Sequence, residues 1–111
     1  MSKYKAKKMT IDGYTFDSKK ESIRYLELKT LEQKGIIKNL KLQPRFELQE
    51  KFKLNGKARR KIEYIADFSY IQNGKLVVED VKSSFTRKNP LYRIKKKLFE
   101  YKYQIEIKEE V

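Results

Sequence analysis

The stretch of sequence that decides the fold is residues 64–82, YIADFSYIQNGKLVVEDVK. Two apolar runs flank Asn73-Gly74, and an Asn-Gly pair in this setting is the strongest short-range signal for a two-residue hairpin loop. The pattern therefore predicts one strand over about residues 59–72 and a return strand over about residues 75–83.

The register of this hairpin brings two carboxylates together. A two-residue loop places Asp67 opposite Asp80, with Cβ atoms about 4.5–5.5 Å apart. Because side chains alternate along a strand, Lys82 is expected on the same face as both acids. A bulge or a one-residue slip would instead move one acid to the other face. The opposite face is expected to carry Tyr64, Ala66, Phe68, Tyr70, Val77 and Val81.

Both faces of the hairpin are otherwise largely apolar, so we expect these strands in the centre of a covered sheet. Two acids that face each other there repel and lose hydration, which is unfavourable unless a positive charge lies between them. Lys82 supplies one charge, and a divalent cation with oxygen ligands would supply more. Surface salt bridges with nearby lysines are the alternative explanation for the two acids.

The remaining elements follow from local signals. Ser18 followed by Glu21 is a capping box, and it predicts a helix that ends at Gly35. Pro90 lies near the first turn of a second predicted helix, over about residues 90–101. The other predicted elements are a small hairpin at 9–16 and strands at 36–42, around 46–48 and at 103–108. This order, α-β-β-β-α-β after a small N-terminal β element, indicates an α/β (α+β) fold with a central mixed sheet flanked by helices.

Apolar residues at helical spacing predict the buried face of each helix. The first helix is expected to bury Ile23, Tyr25, Leu26, Leu28 and Leu31. The second helix is expected to bury Leu91, Ile94, Leu98 and Phe99.

Composition limits the chemistry that is available to the protein. The chain has 111 residues, which fits one domain, and a formal net charge of +13 with no His and no Cys. Imidazole bases, disulfides, thiolate metal sites and cysteine catalysis are therefore excluded, whereas oxygen-ligand sites for hard cations remain. We predict a basic, mobile lead at residues 1–8 and a single domain at residues 9–111.

The charge is unevenly distributed along the chain. Residues 51–62 carry six positive charges without an acid, residues 63–80 carry a net charge of −3, and residues 81–100 carry +6. The basic stretches predict a polyanionic partner, with nucleic acid favoured over an anionic membrane. The acidic segment between them suits a metal-dependent enzyme that acts on phosphates better than a protein that only binds them. The predicted nucleic-acid contacts are Arg59, Arg60, Lys61, Arg87, Lys88, Arg93 and Lys96.

The pairing of Asp67 with Asp80-Val81-Lys82 resembles the signature of the PD-(D/E)XK nuclease superfamily, although Ala66 stands where that name has Pro. The predicted order of elements is similar to the core of the superfamily, and Ser18-Lys19-Lys20-Glu21 looks like its helix that donates a further Glu. Over about residues 9–108 the chain also resembles a small family of uncharacterised, nuclease-like phage and prophage proteins. The segments that carry this likeness are FDSKKESIRYLEL, LQPRFEL, YIADFSYIQNGK, VEDVKS and KKKLFEYKY.

The resemblance implies a restriction-endonuclease-like core and hydrolysis of DNA phosphodiester bonds that depends on Mg²⁺ or Mn²⁺. Asp67, Asp80 and the backbone carbonyl of Val81 would hold one or two ions, with Glu21 as a further ligand or only as a helix cap. Lys82 would orient or deprotonate the attacking water and stabilise the transition state. Glu79 is an alternative to Asp80 in a shifted register, and Gln43 and Glu47 are weaker candidates for a supporting role.

The expected enzyme is a DNA endonuclease, and double-stranded or branched DNA such as a Holliday junction is its favoured substrate. A homodimer is expected for junction cleavage because two strands must be cut. The alternative function is a non-catalytic nucleic-acid-binding protein, and a membrane-surface adaptor is a weaker third. No apolar run approaches the roughly 20 residues of a membrane span, and no signal segment is visible. We therefore expect a cytoplasmic protein, in the host cell if a phage encodes it.

Overall fold

The computed structural model of the protein describes residues 8–83 and 86–110. The predicted lead at residues 1–8 lies outside the described residues except for Lys8, which is exposed. In chain order the elements are β1 (Met9–Ile11), β2 (Tyr14–Phe16), α1 (Lys19–Gln33), β3 (Lys38–Leu42), β4 (Arg45–Gln49), β5 (Phe52–Leu54), β6 (Lys57–Arg59), β7 (Ile62–Ile65), β8 (Phe68–Gln72), β9 (Lys75–Val81), a 3₁₀ turn (Thr86–Lys88), α2 (Pro90–Tyr103) and β10 (Lys108–Glu110).

The central sheet contains four strands in the order β10-β9-β8-β3. Strands β3, β8 and β9 are antiparallel neighbours, whereas β10 pairs with β9 in parallel. The predicted mixed sheet and α+β class are therefore confirmed. The hairpin has the predicted register from Phe68 opposite Glu79 to Gln72 opposite Lys75. Both loop residues have positive φ, 53° at Asn73 and 75° at Gly74, as the predicted two-residue loop requires.

Helix α1 covers one face of the sheet. Ser18 caps the helix as predicted, because its Oγ accepts the Glu21 N–H at 3.1 Å. Tyr25 and Leu28 are buried on the helix and pack with Phe68 of β8. Full burial of a leucine side chain stabilises a fold by roughly 1.5–3 kcal/mol, so this contact holds α1 on the sheet.

Helix α2 covers the opposite face. Asn89 caps its N-terminus and Pro90 begins it, close to the predicted boundary. Phe99 is completely buried and packs with Val78 of β9. The ring of Phe46, from β4, meets Phe99 edge-on at a centroid distance of 4.9 Å. The aromatic contact fixes the β4–β7 pair beneath α2.

The predicted single strand over residues 59–72 is wrong, because strand structure is interrupted at Arg60-Lys61 and again at Ala66-Asp67. There the Ala66 N–H donates to the Pro44 carbonyl, and a separate strand β8 begins at Phe68. The break reverses the alternation of side chains. Tyr64 and Ala66 consequently pack with Val78 on the α2 face, and not with Phe68 as predicted.

A second antiparallel ribbon stands apart from the central sheet. Strand β4 pairs with β7. The segment that connects them contains a second antiparallel pair, β5 and β6. The predicted elements leave residues 49–58 without a strand, whereas the structure has the β5–β6 hairpin there.

Parts of the predicted helix stripes are exposed. Leu91, Ile94 and Leu98 are 62%, 57% and 44% exposed on the outer side of α2, and Ile23 and Leu26 are about half exposed on α1. On α1 the buried apolar residues are Tyr25 and Leu28, and on α2 Phe99, whereas the predicted Leu31 is partly buried and packs against the α1 core. No helix among the described residues is long and apolar enough to cross a membrane.

The closing strand is also displaced from its predicted position at residues 103–108. Helix α2 continues through Tyr103, whose ring stacks on Phe99 at 5.0 Å, and the strand is Lys108–Glu110. The alternating pattern before it includes Ile107, which is buried outside any strand. Burial against α2, and not strand pairing, therefore accounts for part of that pattern.

The two sides of α2 should respond differently to truncation. Phe99→Ala should lower the free energy of unfolding by about 3–5 kcal/mol, because it leaves a cavity in the core. Ile94→Ala should change it by less than about 0.5 kcal/mol, because the side chain is largely exposed. Urea unfolding followed by circular dichroism measures both, and similar losses in the two variants would contradict this placement of α2.

Candidate functional site

The predicted acids meet where β8 begins and β9 ends. The Asp67 N–H donates to Asp80 Oδ1 at 3.1 Å, and Asp67 Oδ2 accepts the Val81 N–H at 2.8 Å. These bonds add to backbone bonds at the same residue, because the Asp67 N–H also donates to the Glu79 carbonyl at 3.1 Å and the Asp67 carbonyl accepts the Gln43 N–H at 2.9 Å. Asp67 and Asp80 are therefore neighbours as predicted, but through side-chain-to-backbone bonds at a break in the strand.

Glu21 from α1 joins this site from the first face. It lies in the first turn of the helix, and the nearby charge of Asp67 contributes to the rise in its pKa. Both residues line a cavity of about 260 Å³ that Gln43 also borders. The predicted pairing of Glu21 and Asp67 in one site is consistent with this geometry, and Gln43 lies where a supporting residue would.

Burial changes the acidity of all three carboxyl groups. Loss of hydration and the neighbouring Asp67 raise the pKa of Glu21 to about 7. Burial also raises the pKa of Asp67, although the Val81 N–H and Lys82 oppose the rise. Burial raises the pKa of Asp80 to about 6, again against the effect of Lys82. Without a further cation, these carboxyl groups therefore keep their protons to a higher pH than they would in water.

Asp80 is the most enclosed member of the site. Its side chain is 1% exposed, and its Oδ2 is buried without a hydrogen-bond partner among the described residues. A buried carboxylate oxygen without a partner costs free energy, so the geometry leaves this atom able to accept a cation or a proton.

Lys82 reaches the same acids from the end of β9. Its Nζ lies 3.9 Å from Asp80 Oδ1 and 4.5 Å from the centroid of the Tyr92 ring. The backbone N–H of Lys82 donates to the Glu110 carbonyl at 2.8 Å, and this bond fixes the Lys82 backbone beside β10. The Lys82 side chain is 21% exposed, so it is held by its neighbours and can still contact a bound anion.

The site suits a hard divalent cation in its donor chemistry but does not enclose one. Glu21, Asp67 and Asp80 offer only oxygen donors, and Asp80 Oδ2 lacks a partner. Among the described residues no three acidic side chains converge into a ready metal cluster. The set therefore fits Mg²⁺, which commonly binds one or two carboxylates and completes its shell with water and substrate phosphate. The structure shows the Val81 N–H on Asp67, and the predicted role of the Val81 carbonyl stays a prediction.

Glu79 lies outside the site, although the sequence left it as an alternative to Asp80. It is completely buried on the α1 face, where Arg24 donates to both of its oxygens at 2.8 Å. The Glu79 carboxylate therefore forms a buried ion pair with Arg24, and the Tyr70 hydroxyl also donates to it.

Two residues that the sequence did not single out border the site. Tyr92 lies against Lys82, and its hydroxyl donates to Glu109 Oε2 at 2.6 Å. Glu109 is the β10 neighbour of Asp80, and its charge adds to the rise in the pKa of Asp80. The sequence did not identify Glu109, because the alternating apolar and polar residues that predicted the last strand ended at residue 108.

The seven predicted nucleic-acid contacts divide between two surfaces. Arg59, Arg60 and Lys61 lie on or beside β6, on the outer ribbon. The other four line a groove of about 640 Å³ along the 3₁₀ turn and α2, namely Arg87, Lys88, Arg93 and Lys96. Tyr92 also lines this groove and contacts Lys82, so the second surface adjoins the acidic site.

The other weak candidates are not part of the site. Glu47 lies on β4, and its backbone carbonyl accepts bonds from Lys102 and Tyr103 at 2.9 and 2.7 Å. Its role is therefore to anchor the ribbon to α2. Two serines follow Lys82 in the chain, at positions from which a hydroxyl would suit a phosphate. Ser83 bonds locally with Thr86, while Ser84 lies outside the described residues.

The family model for Protein of unknown function (DUF1064) matches residues 1–110, almost the whole chain. The chain belongs to this family. Its description, which names no activity, leaves the chemistry of the site to be argued from the residues. No curated protein matches the chain. No solved structure matches it.

The buried Arg24–Glu79 pair should be essential for folding. Arg24→Met leaves Glu79 without its main partner and should lower the free energy of unfolding by about 3–5 kcal/mol. Lys29→Met removes the exposed i,i+3 pair with Glu32 and should change it by no more than about 0.5 kcal/mol. Urea unfolding distinguishes them, and adding Glu79→Gln to Arg24→Met should recover part of the loss.

The raised carboxyl pKa values make a prediction about pH. A carboxyl with a higher pKa in the folded chain stabilises it fully below the unfolded pKa, and that stability is lost as pH rises through the folded value. Without divalent metal, the stabilising effect of Glu21 should therefore decline between about pH 4.5 and about pH 7. Glu21→Gln should lack this decline. Urea unfolding in EDTA from pH 4.5 to 8 measures it, and parallel profiles for the two proteins would contradict it.

Proposed function

We propose that the protein is a metal-dependent endonuclease of the PD-(D/E)XK type that hydrolyses phosphodiester bonds in DNA. The observation that carries this proposal is the meeting of Asp67, Asp80 and Lys82 at one end of one hairpin, with Glu21 beside Asp67. The succession α1, β3, β8, β9, α2 and β10 supports the same type of core.

The carboxylates would hold one Mg²⁺ or Mn²⁺ ion. Glu21 and Asp67 face a common cavity that is open enough for water and a phosphate, and Asp80 offers a further oxygen. When bound, the ion would polarise the phosphate and make the attacking water more acidic. Its charge would also offset the loss of hydration that raises the pKa of all three acids.

Lys82 would act directly on the reacting groups. Its ammonium has three N–H donors, and the adjacent Asp80 and the Tyr92 ring restrict its position. From there it would donate to the attacking water or to a phosphate oxygen as negative charge develops in the transition state. Asp80 would position Lys82 through their charge interaction in addition to serving as a ligand.

DNA is the proposed substrate because basic groups lie on both sides of the acidic site. The groove along α2 adjoins Lys82 through Tyr92, and the outer ribbon continues through β7 to Asp67. Contacts of this kind neutralise phosphates without selecting a sequence. Branched DNA, including four-way junctions, remains the favoured class within this proposal, and a homodimer is proposed for its paired cuts.

Cleavage of labelled linear, nicked, flap and four-way DNA with Mg²⁺ or Mn²⁺ tests the proposal. Lys82→Ala should lower the cleavage rate by at least about 100-fold, because it removes a donor to the developing charge. Asp67→Asn should lower the rate at least as much, while DNA affinity in EDTA should stay within about threefold for both variants, since neither residue lies on a basic surface.

Lys75→Ala is the matched control for the loss of one lysine, since Lys75 is exposed at the far end of the hairpin. It should cleave at the wild-type rate. Absence of metal-dependent cleavage by wild-type protein on all four substrates would contradict the proposed function, as would full activity of Lys82→Ala.

A non-catalytic nucleic-acid-binding protein is the second candidate. It is favoured by one observation, that the described residues contain no ready cluster of three metal ligands. In that case DNA binding would persist in Asp67→Asn and no divalent metal would raise the melting temperature. A metal-dependent rise in melting temperature that is lost in Asp67→Asn would instead favour the nuclease.

A further inference from the structure

The outer ribbon is the most exposed ordered part of the described chain. Residues 51–61, which we term the arm, contain β5, β6 and the Asn55-Gly56 turn, and every one of them is exposed. In the described chain β5 and β6 form no contacts with other elements beyond their own pairing. With about six residues between Gln49 and the tip, the arm extends roughly 20 Å at 3.3 Å per residue.

The arm carries concentrated and almost unpaired positive charge. It contains six Lys and Arg residues and no acid. Among the described residues only Lys61 of the six has an ion-pair partner, with Glu63 at 3.4 Å at the base of the arm. A two-stranded element that needed charge only for solubility would not have to exclude acids, so this composition indicates a polyanion along its length.

The strand pairing sorts the side chains of the arm into two faces. Phe52 lies opposite Arg59, and Leu54 lies opposite Lys57. Because residues two apart share a face, these four side chains lie together, two apolar and two basic. Phe52 and Leu54 are 44% and 52% exposed, so neither side chain is buried in the core. This face can contact apolar base edges and phosphates at once.

The base of the arm is held firmly and leads to the site. Phe46 and Tyr64 pack on Phe99, with ring centroids at 4.9 and 5.4 Å. From β7 the chain continues through Ala66 directly to Asp67. A duplex gripped by the arm would therefore be fixed relative to the acidic site.

We propose that the arm enters the major groove of double-stranded DNA next to the cleavage site. The major groove is about 12 Å wide and accepts a two-stranded β-ribbon. Arg59 and Lys57 would contact phosphates or guanine edges, and Phe52 and Leu54 would contact thymine methyl groups. The inference rests on the proposed function for its substrate, and it adds a major-groove contact to the phosphate contacts proposed for the groove along α2.

The first test removes the arm without disturbing its base. Gln49 and Ile62 are paired across the ribbon, so replacing residues 50–61 by Asn-Gly should close β4 and β7 as a short hairpin. In EDTA the deletion should weaken duplex binding by at least about tenfold. It should also make the dependence of affinity on salt clearly less steep. Unchanged duplex affinity in a folded deletion variant would overturn the proposal.

Two triple variants that remove the same charge distinguish DNA contacts made by the arm from attraction by the overall positive charge of the protein. Lys53→Gln, Lys57→Gln and Arg59→Gln together should reduce the salt slope by about 2.7 if all three contact phosphates. Lys34→Gln, Lys38→Gln and Lys75→Gln remove the same charge from exposed positions elsewhere. The second set should change the slope by less than about 1. Equal effects of the two sets would mean non-specific attraction and would overturn the proposal.

Dimethyl sulfate identifies the groove, because it methylates guanine N7 in the major groove and adenine N3 in the minor groove. Wild-type protein should protect guanine N7 over a few base pairs, and the Phe52→Ala, Leu54→Ala variant should protect them less. Protection of adenine N3 alone would overturn the major-groove assignment. Preferential binding of an acidic polypeptide such as polyglutamate over duplex DNA would overturn DNA as the occupant.

These outcomes are separable from those of the proposed function. Arm-dependent duplex binding by a protein that never cleaves DNA would contradict the nuclease proposal and leave the arm as a DNA-binding element. Metal-dependent cleavage by a protein whose DNA binding does not depend on the arm would support the nuclease proposal and overturn the proposed role of the arm.

Discussion

The two hydrogen bonds between Asp67 and the end of β9 are the interaction on which the rest of the molecule depends. The Asp67 N–H binds the Asp80 side chain, and the Asp67 side chain binds the Val81 N–H. These bonds hold Asp67 against β9 at an interruption between two strands, where the chain changes face between Ala66 and Phe68. One side of the break belongs to the sheet and its α1 core, and the other belongs to the ribbon beneath α2. The break that joins these parts is also where the acids meet.

The site also illustrates how a fold sustains unfavourable electrostatics. Burial raises the pKa of Glu21, Asp67 and Asp80 together, because all three carboxyl groups lose hydration. Glu79, one residue from Asp80, is equally buried but has Arg24 and Tyr70 as partners. Adjacent residues on one strand are thus in opposite situations, since the Glu79 carboxylate is paired inside the core while Asp80 Oδ2 has no partner among the described residues.

Charge and shape are combined differently on the two basic surfaces. The groove along α2 contains acids as well as bases, and Lys96 lies within 4.0 Å of both Glu100 and Glu109. The arm has no such balance and no packing beyond its own strand pair. The exposed stripe of Leu91, Ile94 and Leu98 is flanked by Lys95 and Lys97, so two copies packed along it would bring like charges together. That repulsion sets a limit on where the proposed homodimer could form.

The sequence by itself determined the Asn73-Gly74 hairpin, its register as far as Phe68, both helix starts and the proximity of Asp67 to Asp80 and Lys82. These features follow from turn chemistry, capping and alternation, which act over a few residues. Only the tertiary structure decided that the chain breaks at Asp67, that Leu91 and Ile94 face outward, and that Glu109 reaches the site. Each of these depends on a partner far along the chain, such as Pro44 for Ala66 or β9 for β10. Local periodicity carries no information about such partners, because it records that a residue is apolar or polar and not what covers it.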